Sequence, residues 1–283
     1  MLMDDCAAKV LAKAANGHRL SRVRSYLRWG VWLVSLAVIG AFLLLPPWDV
    51  LVKTRLIGYA VCHQLPERSF HLAGEQLPLC ARCSGTFLGA LAGFTLLTLR
   101  GRHRAIGLPP VPITVVLVVF IFALGVDGLN SYLTFFPGLP HLYQPHNWLR
   151  LTTGTFNGLA ISSIVYPVLN YSLWRDVVNI PAIKDFRELG SLIASGIGII
   201  IVVLLEPAPL LYPLAILSTL GVLTLLAALN TTLLLMLFNR QGRAVRWQQA
   251  VLPLLVGLAA SFVELGAIDV LRYLVTRGAG LPL

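Results

Sequence analysis

Charge is what this sequence has least of. Asp, Glu, Lys and Arg make up only 12% of its 283 residues, against 57% apolar residues and a mean hydropathy of +0.79. A soluble domain covers its surface with about 25% charged residues, so a roughly twofold deficit excludes an ordinary cytosolic enzyme. Acids are scarcest, 12 against 22 Lys and Arg. The chain also has no P-loop, no G-x-S-x-G turn and no H-E-x-x-H helix, which removes the familiar nucleotide, serine-hydrolase and zincin chemistries. Internal repeats of the kind transporters carry, low-complexity tracts and a polar stretch long enough for a soluble domain are all missing. Cysteine is rare too, four in all, yet three of the four fall in one short segment.

Long apolar runs are what the chain has in quantity. Stretches at about 31–47, 84–99, 111–129, 148–170, 189–205 and 250–274 approach or reach the length of a bilayer-crossing helix, and Leu210 to Phe238 supplies a seventh. The expected fold class is all-α: a polytopic transmembrane helical bundle of about seven helices. The first run follows a basic segment and ends in Pro46-Pro47-Trp48 without a small-residue cleavage site, so it reads as an anchor and not as a signal peptide. The organisation expected is a basic cytoplasmic tail over 1–30 and a single transmembrane domain over 31–283. Within that domain, 48–83 forms an outside segment, where Leu56 to Val61 reads as a half-helix or interfacial turn.

Orientation follows from the cations. With the N-terminus inside, Lys9, Lys13, Arg19, Arg22, Arg24, Arg28, Arg100, Arg102, Arg104, Arg175, Lys184, Arg187, Arg240, Arg243 and Arg246 all lie inside, fifteen of the 22. The positive-inside rule then places the N-terminus in and the C-terminus out. The net charge of +10 is therefore a topology signal with some attraction to anionic membrane lipid, and it gives no reason to invoke nucleic acid.

The outside segment reads CHQLPERSFHLAGEQLPLCARCSG from Cys62 to Gly85. Cys80 and Cys83 form a C-x-x-C pair at the entrance to the second apolar run, and Cys62 lies 18 residues upstream. With one of His63 and His71, the three thiols make a Cys3His set suited to zinc or another thiophilic metal such as copper or iron. His71 is the better fourth ligand, because neighbours such as Cys62 and His63 seldom point to the same place. Two other readings of the thiols stay open. One is a structural disulfide from Cys62 to Cys80 or Cys83, which would close a loop of about 20 residues and stabilise by ~3 kcal/mol. The other is a redox-active C-x-x-C that exchanges electrons with Cys62 and a membrane quinone, its thiol activated by a helix N-terminus and Arg82. Cys6, alone in the tail, has no part in any of these.

CHQLPERSF followed by LPLCARCSG resembles the signature of an uncharacterised prokaryotic family of predicted multi-spanning membrane proteins, a domain of unknown function. The resemblance continues through Asp127-Gly128 and then Asn147, Arg150, Leu151, Thr153 and Gly154, covering roughly residues 55 to 170. Ser84 stands where threonine is expected, and the hydroxyl is kept. The resemblance implies a multi-pass protein of a prokaryotic plasma (inner) membrane and brings no reaction with it.

Ionisable groups inside a membrane are costly and mark function or ion pairing. Asp127 and Asn130 share one face at the outer end of the third run. Asn147, Arg150, Gly154 and Asn157 share another on the fourth, and Ser261 and Glu264 a third on the seventh, with Asp269 nearer its end and Glu206 closing the fifth. All lie near the level of Cys80 and Cys83. Arg150 is either paired with Asp127 or free to hold an anion such as a phosphate or carboxylate head group. Glu264 is either a partner of Arg150 or a metal or proton ligand. Gly85, Gly89 and Gly93, stepping by four, and Gly154 and Gly158 predict close helix packing.

The leading expectation is a metal centre of Cys62, Cys80, Cys83 and His71 or His63 beside an outer polar cavity. Asp127, Arg150 and Glu264 are its catalytic candidates, and Asn130, Asn147 and Arg150 would hold a cofactor or anion. The alternatives are a membrane thiol-disulfide oxidoreductase linked to quinone, and a non-enzymatic, disulfide-stapled lipid-binding or complex-assembly subunit with a membrane-complex partner.

Overall fold

The computed structural model describes residues 29–136 and 140–277. The basic tail up to residue 28, with Cys6, lies outside the described residues. Among the described residues the chain forms eight helices: α1 (Trp29–Leu44), α2 (Val50–Val61), α3 (Ala81–Leu99), α4 (Val111–Leu133), α5 (Asn147–Leu173), α6 (Phe186–Leu204), α7 (Leu211–Leu237) and α8 (Trp247–Thr276). α3, α4, α6, α7 with the 3-10 turn before it, and α8 are long and apolar enough to cross a membrane. The bundle is all-α and polytopic. The expected seven runs correspond to α1 and α3 to α8. α2 is the extra element, twelve residues long where the sequence suggested only Leu56 to Val61.

Local chemistry sets the helix starts. Asp49 Oδ1 accepts the N–H groups of Leu51 at 2.6 Å and Val52 at 3.1 Å, two of the donors that a helix start leaves orphaned. Pro110 and Pro112 open α4, where a missing N–H is harmless. Asp185 caps α6 through the Glu188 N–H at 2.9 Å, and the Glu188 carboxylate reaches back to the Lys184 N–H at 2.7 Å.

α3 and α5 are the axis of the bundle and run parallel. A Cβ placed on Gly85, Gly89, Gly154 or Gly158 would lie 2.4 Å from Leu151 O, 2.3 Å from Thr155 O, 2.3 Å from Arg82 O and 2.0 Å from Thr86 O respectively. The two backbones are therefore in direct contact, which only glycine allows. The expected small-residue packing is present, and α5 is the partner. Two tethers fix the relative height of the pair. At one end Asn147 Nδ2 donates to the carbonyls of Glu67 and Ser69, and at the other Asn170 Nδ2 donates to those of Arg102 and Ala105. α5 thus spans the bundle beside α3.

α4, α6 and α7 pack around this axis, with α8 against α7 and α2 against both. Two small sheets mark opposite ends. An antiparallel hairpin pairs β1 (His71–Leu72) with β2 (Glu75–Gln76), and a parallel pair joins β3 (Ala105–Gly107) to β4 (Val178–Pro181). The hairpin lies between Cys62 and Cys80 in the chain.

Candidate metal centre and its arginine neighbours

Cys62 ends α2, and Cys80 sits at the N-cap of α3 with Cys83 in its first turn. Two glutamines hold these two helix ends together, and an arginine ties the end of α2 to α8. Gln64 Nε2 donates to Arg55 O at 2.8 Å and Pro78 O at 2.7 Å, bridging α2 to the residues just before Cys80. Gln76 Nε2 donates to Gln64 O at 2.8 Å. Arg272, near the end of α8, donates to Cys62 O at 2.7 Å and to Tyr59 O, and its guanidinium lies 3.9 Å from the Tyr59 ring centre. Gly58 is needed in the same place, since a Cβ there would lie 2.1 Å from Pro78 O.

The result is one group of three sulfurs, all within 4.8 Å of one another. The three are free thiols, with Cys62 buried and Cys80 and Cys83 half-buried. A tetrahedral ion with bonds of about 2.3 Å places its sulfurs about 3.8 Å apart. Side-chain adjustments of about an ångström would close the group on such an ion, so the donors fit a thiophilic metal. Charge favours thiolate here as well. Hydrogen bonds from the Cys62 and Cys83 thiols, helped by Arg82, hold Cys80 far below the usual thiol range. The Cys80 sulfur, with burial, pushes the Cys62 thiol up to about 11. The Cys80 N–H points to Cys62 Sγ at 3.3 Å.

Beside the sulfurs lies an ion pair, but not the expected one. Asp127, 1% exposed, pairs with Arg82: Nε donates to Oδ2 at 3.0 Å and Nη2 to the same oxygen. Tyr143 OH donates to Asp127 Oδ1 at 3.0 Å, and Arg82 Nη2 also reaches Ser131 Oγ at 3.0 Å. This bond to Asp127 and burial push the Tyr143 hydroxyl up to about 12, with burial the larger cause. The alternative in which Arg150 takes Asp127 is therefore corrected. Arg150, 6% exposed, donates through Nη1 to Asn147 Oδ1 at 2.8 Å, and its Nε has no partner among the described residues. Arg82 was legible only as a neighbour of the thiols; the depth it shares with Asp127 was the signal for the pair.

Other expected site residues fall elsewhere. His63 and His71 are exposed and join no metal-ligating group among the described residues. His71 pairs in the hairpin with Gln76. Asn130 is used up by the loop before α5: Oδ1 accepts the N–H of Leu142 at 2.6 Å and Nδ2 donates to Tyr143 O at 2.9 Å. Asn147 is engaged through both ends of its amide. Glu264 faces outward and accepts from Asn230 of α7 at 2.9 Å, so it does not partner Arg150. Glu206 is exposed at the end of α6. Gln64, Arg68, Tyr143 and Arg272 were not singled out in the sequence. For Gln64 and Arg68, their place inside the CHQLPERSF string was the available signal.

Residues 62–164 match the model of a family described as Predicted membrane protein (DUF2085). That segment is similar to an uncharacterised family of membrane proteins. The resemblance read in the sequence is thereby shown, and the matched segment holds Cys62, Cys80, Cys83, Arg82, Asp127 and Arg150. The chain is similar to an uncharacterized protein of Methanocaldococcus jannaschii, 27% identical over 115 residues, 41% of this chain and 67% of that protein. It is also similar to an uncharacterized protein of Methanothermobacter thermautotrophicus, 29% identical over 102 residues, 36% of this chain and 81% of that protein. No solved structure matches.

Proposed function

We propose that this membrane protein carries a three-cysteine metal centre of Cys62, Cys80 and Cys83 on the outer side of a prokaryotic plasma membrane, with the N-terminus inside. The observation that carries the reading is the convergence of three free sulfurs from two helix ends within 4.8 Å. Zinc fits this donor set best, because thiolates suit it and it needs no redox partner. Since His63 and His71 stand outside the group, the described residues supply three ligands and leave the fourth position to water or a substrate atom. Closed structural zinc sites use four protein ligands, whereas three with an open position is the pattern of sites that bind or activate a small molecule. Bound there, the metal would polarise its fourth ligand. Arg82 and Asp127 hold the first turn of α3 against α4, and Arg272 holds the end of α2, so the protein's part is to fix the sulfurs. The outer placement is supported by the fifteen cations on the opposite side.

Metal analysis of the purified protein tests the centre. One zinc-class ion per chain is expected, lost in Cys62→Ser and Cys83→Ser and retained in His63→Ala and His71→Ala. No stoichiometric zinc, copper or iron, or a content unchanged by Cys83→Ser, overturns the reading. Thiols that accumulate in reduced form in cells when quinone turnover is blocked, and are re-oxidised when it is restored, would replace it with a thiol-disulfide oxidoreductase. In intact cells, His71→Cys should react with a membrane-impermeant maleimide above the wild-type level; protection until lysis overturns the outer placement.

A further inference from the structure

We propose that Arg150, Arg68 and Arg82 form a binding site for a phosphate-class oxyanion at the cysteine end of the bundle. The site deepens the functional reading but rests on the arginines alone, so it stands or falls independently of a metal at the sulfurs.

Arg150 carries the argument. Its side chain is buried, and among the described residues its Nε donates to nothing and its one hydrogen bond goes to a neutral amide, Asn147 Oδ1. No carboxylate among the described residues lies within ion-pair distance of it. The negative charges of Asp127 and Cys80 act on Arg150 only from a distance, and a buried guanidinium with no directly paired anion is unfavourable unless a ligand supplies one.

The surroundings sharpen that demand. Arg68 and Arg82 lie close enough for their charges to act on Arg150. The two meet at one residue, Arg68 Nη2 approaching Ser131 O at 3.5 Å and Arg82 Nη2 bonding Ser131 Oγ. Asn147 links Arg150 to the backbone at Glu67 and Ser69, on either side of Arg68. Against three guanidiniums stand two carboxylates and the Cys80 thiolate, whose charge reaches Arg150 and Arg68 without a hydrogen bond to either among the described residues. Asp127 is committed to Arg82 and Tyr143, and Glu67 is exposed to solvent. The first turn of the 27-residue α5 adds positive potential, and its N-cap residue His146 gives it no side-chain bond. Charge and geometry together name the ligand class. The unpartnered Nε of Arg150 on α5 and the guanidinium of Arg68 from the 66–68 turn, with added positive charge from Arg82, whose Nε and Nη2 are taken by Asp127, suit a tetrahedral anion with several acceptor oxygens. Free phosphate and a phospholipid head group both present that chemistry.

The test uses full-length protein purified in phosphate-free buffer. Inorganic phosphate is titrated calorimetrically into detergent-solubilised protein, and phosphatidic acid is compared with phosphatidylcholine in nanodiscs by bound-lipid mass spectrometry. Saturable phosphate binding identifies a soluble oxyanion. Selective retention of phosphatidic acid without phosphate binding identifies a lipid head group. Either supports the site, provided that Arg150→Gln and Arg68→Gln each weaken it by roughly tenfold or more. Arg150→Lys, which keeps the charge and loses the fork, should fall between. Arg68 lies on a half-buried surface turn, so Arg68→Gln serves even if Arg150→Gln misfolds. Its unchanged elution and metal content would separate loss of the anion from loss of the metal centre. Neither phosphate nor phosphatidic acid binding, or binding that survives Arg68→Gln and Arg150→Lys undiminished, overturns the proposal.

Discussion

The Arg82–Asp127 pair makes a prediction with an unequal signature. Removing Arg82 as Arg82→Met leaves a carboxylate that is 1% exposed with a single side-chain partner, the Tyr143 hydroxyl. An uncompensated buried charge of this kind costs about 3–5 kcal/mol. Removing the acid as Asp127→Asn leaves Arg82, whose side chain is 24% exposed and keeps its bond to Ser131 Oγ. That guanidinium can turn toward water, so the cost should be nearer 1–2 kcal/mol, that of a lost charge-assisted hydrogen bond. The double variant should be more stable than Arg82→Met alone, because the stranded carboxylate is gone. A coupling of about 1–3 kcal/mol is expected from the cycle. The assay is SDS-induced unfolding in mixed micelles, followed by far-ultraviolet circular dichroism, for wild type, the two single variants and the double. Equal costs for the single variants, or a double variant whose loss equals their sum, would refute the reasoning.

Two further predictions concern how the site is held. Gly158→Leu would put a Cβ 2.0 Å from Thr86 O, forcing α3 and α5 apart, and should lower stability by about 1–3 kcal/mol or more. Gly190→Ala in α6, where a Cβ meets nothing within 4 Å, should be neutral or slightly stabilising in the same SDS-unfolding assay, and a matching loss would show that the contact is not what matters. Arg272→Leu removes the guanidinium that bonds the Tyr59 and Cys62 carbonyls, a cost of about 1–3 kcal/mol to local closure. Maleimide should then modify Cys62 roughly tenfold faster than in wild type after metal chelation, and an unchanged rate would show that α8 does not anchor α2.

How legible these features were depends on whether the sequence records them as periodicity or only as rotation and register. Apolar runs gave the helices because length and composition are local properties. Gly85, Gly89 and Gly93 announced a close contact because a period of four marks one helix face. Their partner was hinted at by Gly154 and Gly158 and needed the fold to confirm it. The counter-ion of Asp127 could not be read in the same way. Arg82 and Arg150 lie at one depth, and choosing between them depends on how α3 and α5 are turned toward α4. The place of His71 was hidden for a related reason: it lies exposed on a hairpin strand outside the sulfur group, and a one-residue change of register there sends a side chain to the other face. Glu264 shares a helix face with Ser261 as expected, but it accepts from Asn230 on an outward surface, which periodicity along α8 alone does not reveal.

α5 explains why the most polar run of the chain is also its most central. It is absent from the five helices apolar enough to cross a membrane by composition, yet it is the partner of α3 along the whole axis. Lipid never tests most of its surface, so its hydroxyls need only internal partners. Thr155, Ser162 and Ser163 find them in the carbonyls of Leu151 and Leu159 of the same helix. Low hydropathy here is therefore a record of burial within protein. The segment matched by the family model, residues 62–164, contains both sides of the α3–α5 contact down to Gly158, together with the three cysteines and all three arginines of the proposed anion site. Arg272 and Glu264 lie beyond it. The smallest piece of the chain that carries both proposed sites is thus also the piece whose helices are locked backbone to backbone, and it is there that rigidity and chemistry coincide.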